Sequence, residues 1–164
     1  MAAETLTATR AATTFPVAGH GSHGNLKVAT GTYEIAAVVE DGDIFEMCRL
    51  PANSVVVGGM LYADDIDTGT EALAMDIGWA ANGSESADPD GFGNLGVWTG
   101  DVTTDVKPVA GNMWALQGVL LTDGPQLFTA ETVIQIEANA ASAGGHTGTV
   151  SVVVYYFIDE NFTT

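Results

Sequence analysis

Asp88, Asp90 and Asn94 are spaced as oxygen donors of a loop that wraps a hard divalent cation, and Gly91 between them is free to make the bend such a loop needs. The run departs from a helix–loop–helix calcium hand. That hand wants a glutamate at the twelfth position counting from Asp88, where this chain has Thr99, and it wants flanking helices that the apolar spacing does not predict. These three residues are a calcium candidate only, set against the ordinary use of Asp and Asn in turns. His20 and His23 offer two imidazoles, but they stand among glycines with no cysteine nearby, as in a polar loop. The paired carboxylates Asp41 and Asp43, and Asp64 and Asp65, lie in glycine-flanked runs where turn geometry accounts for them. Trp79, Trp98 and Trp114 are candidates for a sugar platform, against the commoner use of tryptophan as a core or interface anchor.

Cys48 is the sole cysteine, so an intrachain disulfide is excluded, and its neighbours Ile44 to Leu50 predict a small buried hydrophobe. A nucleophilic thiol needs a base beside it, and nothing marks His20, His23 or His146 as that base. No nucleophile elbow, phosphate loop, zinc-protease helix or dinucleotide fingerprint is present. The expectation is a protein that is not an enzyme and uses no cofactor.

The charge narrows the partners. Twenty-one acidic residues face four cations, Arg10, Lys27, Arg49 and Lys107, for a net charge of −17. Binding a phosphate backbone takes clustered Lys and Arg that displace counterions, so neither nucleic acid nor an anionic membrane is an expected partner. An acidic, solvated surface that keeps an abundant protein apart from its copies accounts for the balance. No apolar run approaches the roughly 18 residues of a membrane span, and the opening MAAETLTATRAATTF lacks a continuous apolar core, so neither anchor nor leader is expected.

These residues must be positioned by strands. Apolar residues are 46% and charged residues 15% of the 164, which is enough for a core and too little charge for general disorder. Val and Thr, stiff at χ1, are abundant and suit a pleated sheet. Residues 1–25, rich in Ala, Thr and Gly, predict an extended N-terminal arm, and 26–164 a single domain. Within it, strands are expected in Leu26–Val39, Ile44–Leu50, Ser54–Tyr62, Leu73–Trp79, Asn112–Leu121, Leu127–Thr129, Thr132–Ala138 and Thr149–Ile158. Leu73–Trp79 alternates large with small or acidic residues, which predicts one buried and one wet face. Val55–Val57, apolar on both faces, predicts a strand buried on both sides, and the near-continuous apolar run of Val150–Ile158 predicts an interior or covered one. Asn82–Thr104 reads as a long polar loop and the first place to seek a partner. The class is all-β: an antiparallel, jelly-roll-like sandwich of about eight strands. Phe92, Trp98, Tyr155 and Phe157 are the protein-interface candidates.

Gly31–Ile35, Arg49–Asn53, Gly59–Gly69, Asp90–Gly96 and Gly148–Tyr156, in this order, resemble the capsid decoration or cement proteins that stabilise tailed-phage heads. The resemblance spans Leu26 to Ile158 and rests on turns and strand edges. It implies a jelly-roll subunit, commonly a homotrimer, seated on the major capsid protein at three-fold and quasi-three-fold positions of the outer capsid surface. A low-copy head or tail subunit, and a carbohydrate- or calcium-binding module, are the alternatives.

Overall fold

In the computed structural model the described residues are 25–64, 66–67, 72–97, 112–143 and 147–159. The histidines, Trp98 and all of the expected arm but Asn25 lie outside them. Ile134, Ile136 and Ala138 alternate with Gln135 and Glu137, and this alternation builds a strand with its large apolar side chains on one face. The same logic gives β1 (Lys27–Ile35), β2 (Ile44–Leu50), β3 (Ser54–Ala63), β4 (Ala74–Trp79), β5 (Asp88–Val97), β6 (Asn112–Ala115), β7 (Gln126–Phe128), β8 (Thr132–Ala140) and β9 (Gly148–Ile158), with a single turn of helix, α1 (Val119–Thr122), before β7.

The antiparallel pairs are nested: β1 with β9, β2 with β8, β3 with β6 and β7, and β4 with β5. Folded over, this long hairpin closes into two sheets, because β9 also pairs with β3 and β8 with β4. The first sheet runs β1-β9-β3-β6, with β7 also on β3, and the second runs β2-β8-β4-β5. That is the strand order of a jelly roll, as the sequence predicted. Nine strands stand among the described residues because the lane beside β3 is filled in two pieces. β6 lies along Met60–Ala63 and β7 along Ser54–Val56.

Between the sheets, Val150, Val152 and Val154 of β9 and Val56 and Leu61 of β3 bury against Met75 and Ile77 of β4 and Ile134 and Ile136 of β8. One end of this core is aromatic. Trp79 stands edge-on to Phe92 at 5.0 Å and to Phe128 at 5.2 Å between ring centroids, a geometry the ring quadrupoles favour. Where β1 and β2 meet at the sandwich edge, Gly31 lies so close to the Met47 carbonyl that a side chain would overlap it.

The structure corrects four expectations. Asn82–Thr104 is not one loop: it contains β5, whose Asp, Pro and Gly residues hide the strand pattern. Register irregularities against β4 absorb them. β4 has no wet face. It is interior to its sheet, the outer side of Gly78 lies against the Asp88–Pro89 backbone, and Asp76 is covered by hydrogen-bonding neighbours. The strand expected over Asn112–Leu121 ends at Ala115; Gly118, at φ 53°, turns the chain into α1. Val57, expected to be buried, is 42% exposed because the β3–β9 register slips at its position. β9 is interior as expected, bonded to β1 on one side and β3 on the other.

Candidate interface surfaces

The calcium candidates are spread along β5. Its register sets Asp88 opposite Trp79 and Asn94 opposite Asp76, further along β4. Burial pushes the Asp88 carboxyl up, and a hydrogen bond and repulsion from Asp90 push it further. Asp76 is the most enclosed acid on this sheet. It accepts the Leu95 N–H at 3.3 Å and an Asn139 amide N–H at 2.7 Å. Burial is the largest effect on its carboxyl and raises it, the two hydrogen bonds lower it, and the charges of Asp90 and Glu137 add to the rise. No group of three or more His, Cys, Asp or Glu among the described residues is arranged to hold a metal ion.

Two of the acids expected in turns, Asp43 and Asp64, are occupied by the chain's own backbone. Asp43 Oδ2 accepts the Glu40 N–H at 2.8 Å, and Asp64 Oδ2 accepts the Thr149 N–H at 3.0 Å. Buried Asp67 binds the N–H groups of Ala72, Leu73 and Ala143 and so ties two connections together. Cys48 is half-buried and packs on the core; burial pushes its thiol up to about 11, which leaves it un-ionised and inert as a nucleophile at neutral pH.

Of the platform candidates, Trp98 lies outside the described residues, and Trp79 and Trp114 do not form an exposed platform. Trp79 belongs to the core, with its indole N–H donated to the Ser86 carbonyl at 3.0 Å, and Trp114 faces inward from β6. Trp114 does line a shallow cleft of about 360 Å³ with Gly93, Asn94, Leu95, Ala115, Gln117 and Gly118. None of these residues titrates near neutral pH or carries a nucleophile, so the cleft holds no acid–base or covalent machinery.

Of the interface candidates, Phe92 is 0% exposed and is a core residue, a correction with a plain cause: β5 returns along β4 and turns that ring onto Trp79 and Phe128. Phe157 is half-buried near the end of β9, opposite Val55. Tyr155 is exposed on the outward side of β9.

Tyr155 does not stand alone. Val150, Val152 and Val154 point inward, so Ser151, Val153 and Tyr155 point outward. Register extends the outward rows to Val28, Thr30 and Thr32 of β1, to Val57, Met60 and Tyr62 of β3, and to Met113 and Ala115 of β6. Val28 is 55% exposed, Tyr62 41%, Met113 45% and Tyr155 36%. Thr32 and Ser151 satisfy each other through their hydroxyls at 2.9 Å. The outer face of the second sheet differs sharply. It carries Glu46, Asp76 and Glu137, with Asp90 beside Asp76. The outer side of the first sheet is thus apolar and hydroxyl-bearing through its middle, with Glu34 at one end, whereas the outer side of the second carries several carboxylates, with Arg49 opposite Val133. The apolar face was legible only in part, as the two-sided apolar runs of β3 and β9; Val28 and Met113 carried no signal, because which lane they join is a matter of register.

No protein-family model and no curated protein matches the chain. Solved structures do. The chain is similar to one in the cyanophage Pam1 capsid asymmetric unit, with TM-score 0.58 and 21% identity over 88% of this chain and 93% of that one. It is similar to one in the capsid of Ralstonia phage GP4, with TM-score 0.63 and 20% identity over 88% and 90%. A third likeness is to a chain in the acidic stable capsid structure of Helicobacter pylori bacteriophage KHP30, with TM-score 0.57 and 15% identity over 83% and 90%. At these identities the likeness establishes a shared fold.

Proposed function

We propose that this chain is a structural virion protein that seats on the outer surface of an assembled phage capsid and stabilises it as a cement or decoration protein, as a homotrimer at three-fold and quasi-three-fold positions. What carries the reading is the jelly-roll order of β1 to β9, shared over at least 90% of the length of three chains found in phage capsid structures. The division of the surface supports it: a subunit with one acidic face and one apolar face meets solvent with the first and protein with the second. A net charge of −17 suits a place outside the shell, away from packaged nucleic acid.

Cementing needs no chemistry. A protein that binds the assembled, expanded shell and not its free subunits stabilises that shell by mass action, and many copies act together. The N-terminal arm, residues 1–25, is assigned the reach onto the major capsid protein, since an extended segment contacts a wide surface at a cost in ordering entropy.

The test is to mix the purified chain with expanded, undecorated heads, sediment them and count the copies that come down. Saturable binding at hundreds of copies per head supports the reading. A handful of copies points to a low-copy head or tail position, and no binding overturns it. Removing residues 1–25 without loss of binding removes the arm from the account.

A further inference from the structure

The connection between β4 and β5 carries the chain's one Asn-Gly pair, Asn82–Gly83. That pair has chemistry of its own. The Gly83 peptide nitrogen, on giving up its proton, attacks the side-chain carbon Cγ of Asn82 and closes a five-membered succinimide; the Cγ–Nδ2 bond breaks and its nitrogen leaves as ammonia. Water then opens the imide at either carbonyl, giving aspartate or, with the backbone rerouted through the side chain, isoaspartate. Glycine obstructs this least, because it has no side chain to shield its nitrogen. Gly83 stands in the open: its φ is 91°, and nothing lies within 4 Å of where a Cβ would be.

The fold holds the reacting atoms apart. Ring closure requires Cγ to lie over the Gly83 nitrogen at near-attack distance. Asn82 Oδ1 is instead drawn past Gly83, accepting the Ser84 N–H at 3.0 Å and the Glu85 N–H at 2.7 Å, while the Asn82 N–H is donated to the Glu85 carbonyl at 3.2 Å. Swinging Cγ onto Gly83 breaks the bonds to Oδ1. The turn is itself tied down. Glu85 Oε1 accepts the Thr129 hydroxyl at 2.6 Å and the Thr129 N–H at 3.0 Å, which clasps this connection to the one between β7 and β8. The clasp closes the aromatic end of the core, beside Phe128 and the Trp79 indole that donates to the Ser86 carbonyl. Asn82 Nδ2 and Glu85 Oε2 are buried and reach no other group. Burial raises the Glu85 carboxyl, and the Thr129 hydroxyl and N–H, with the Asn82 amide, more than reverse it.

We infer that Asn82–Gly83 is a self-modification site kept latent by the turn over residues 82–85 and its clasp on Thr129: it deamidates when this connection opens, and the product then keeps the connection loose. The second half follows from charge. Conversion replaces an amide that favours the Glu85 carboxylate with a second carboxylate, and two like charges in a half-buried turn disfavour each other. The change is one-way, since the ammonia is lost to solvent. It stands apart from the capsid reading and needs no partner.

Peptide mapping by mass spectrometry reads the site in the full chain, incubated in mildly alkaline buffer with and without guanidinium. Position 82 gains the mass difference between an amide and an acid, and the isoaspartyl peptide separates on chromatography. The folded chain is expected to convert at least about tenfold more slowly than the denatured one, since only the open fraction reacts. Glu85→Ala, and separately Thr129→Val, speed conversion of the folded chain at least about threefold and leave the denatured rate unchanged. Asn82→Asp, the direct product, melts below the wild type, and the difference largely disappears when Glu85→Ala is added. Circular dichroism confirms that each variant is folded during incubation; if Glu85→Ala is not, Thr129→Val carries both comparisons. Equal rates with and without guanidinium, or a folded rate that neither variant changes, overturns the latency. Asn82→Asp melting with the wild type, or below it by the same margin once the clasp is removed, overturns the role of the product.

Discussion

Gly91 lies against the indole of Trp79 so closely that a Cβ at position 91 would overlap the six-membered ring. The glycine that looked like the bend of an ion-binding loop is instead the gap that lets β5 cross the largest side chain of the core. Gly91→Ala is expected to cost about 1–3 kcal/mol by overpacking, and at about 2–4 °C per kcal/mol for a chain of this length the loss is visible in a thermal melt. An unchanged melting temperature would show that Trp79 moves aside freely.

Phe92 and Tyr155 separate core from surface. Phe92→Ala removes a fully buried ring and is expected to destabilise the fold by about 3–5 kcal/mol. Tyr155→Ala, on the outer face, is expected to change stability by less than about 1 kcal/mol. Denaturant unfolding at a single low protein concentration measures both, and equal losses would contradict the placement of the two rings.

Asp76 gives stability a pH dependence of known sign. Its folded-state carboxyl sits above the ordinary aspartate value, chiefly through burial, so the fold prefers it protonated. The cost of ionising it is absent below the unfolded value of about 3.9, grows as pH rises, and is full above the folded value. Asp88 acts in the same sense. Glu85 acts oppositely: burial raises it, but the Thr129 hydroxyl and N–H outweigh burial and hold it below the ordinary glutamate value. Its contribution is present above about 4.3 and lost as pH falls through the folded value. Melting temperature is therefore expected to rise as pH falls from neutral through the folded Asp76 value, and to drop as pH falls further through the folded Glu85 value. Asp76→Asn should flatten the upper limb, and a wild type that loses stability on going from pH 7 to about 5 would contradict the sign.

Cys48 should be nearly silent in the native protein. With its thiol held up at about 11, the thiolate fraction at pH 8 is roughly a hundredth of that of a free cysteine. Reaction with a chromogenic disulfide is expected to be slow until denaturant unfolds the chain. Rapid native reaction would place the sulfur in solvent.

The sequence by itself determined the class of fold, the boundaries of several strands and the absence of the usual catalytic motifs. Ile44–Leu50 matches β2 from end to end, and Thr132–Ala138 and Thr149–Ile158 fall within β8 and β9, because alternation and β-branching are local properties of the pleat. β5 was hidden because Asp88, Pro89, Asp90 and Gly91 are turn residues by local preference, and only pairing with β4 makes them a strand. Phe92 was misplaced for the same reason: a ring flanked by glycines looks free until its neighbours arrive. Beyond the two-sided apolar runs of β3 and β9, the apolar face is a tertiary matter. Val28, Tyr62, Met113 and Tyr155 come from four strands separated by most of the chain, and no spacing along the sequence relates them. Register decides it, because a shift of one residue in any of those strands would turn its members to the other side of the sheet.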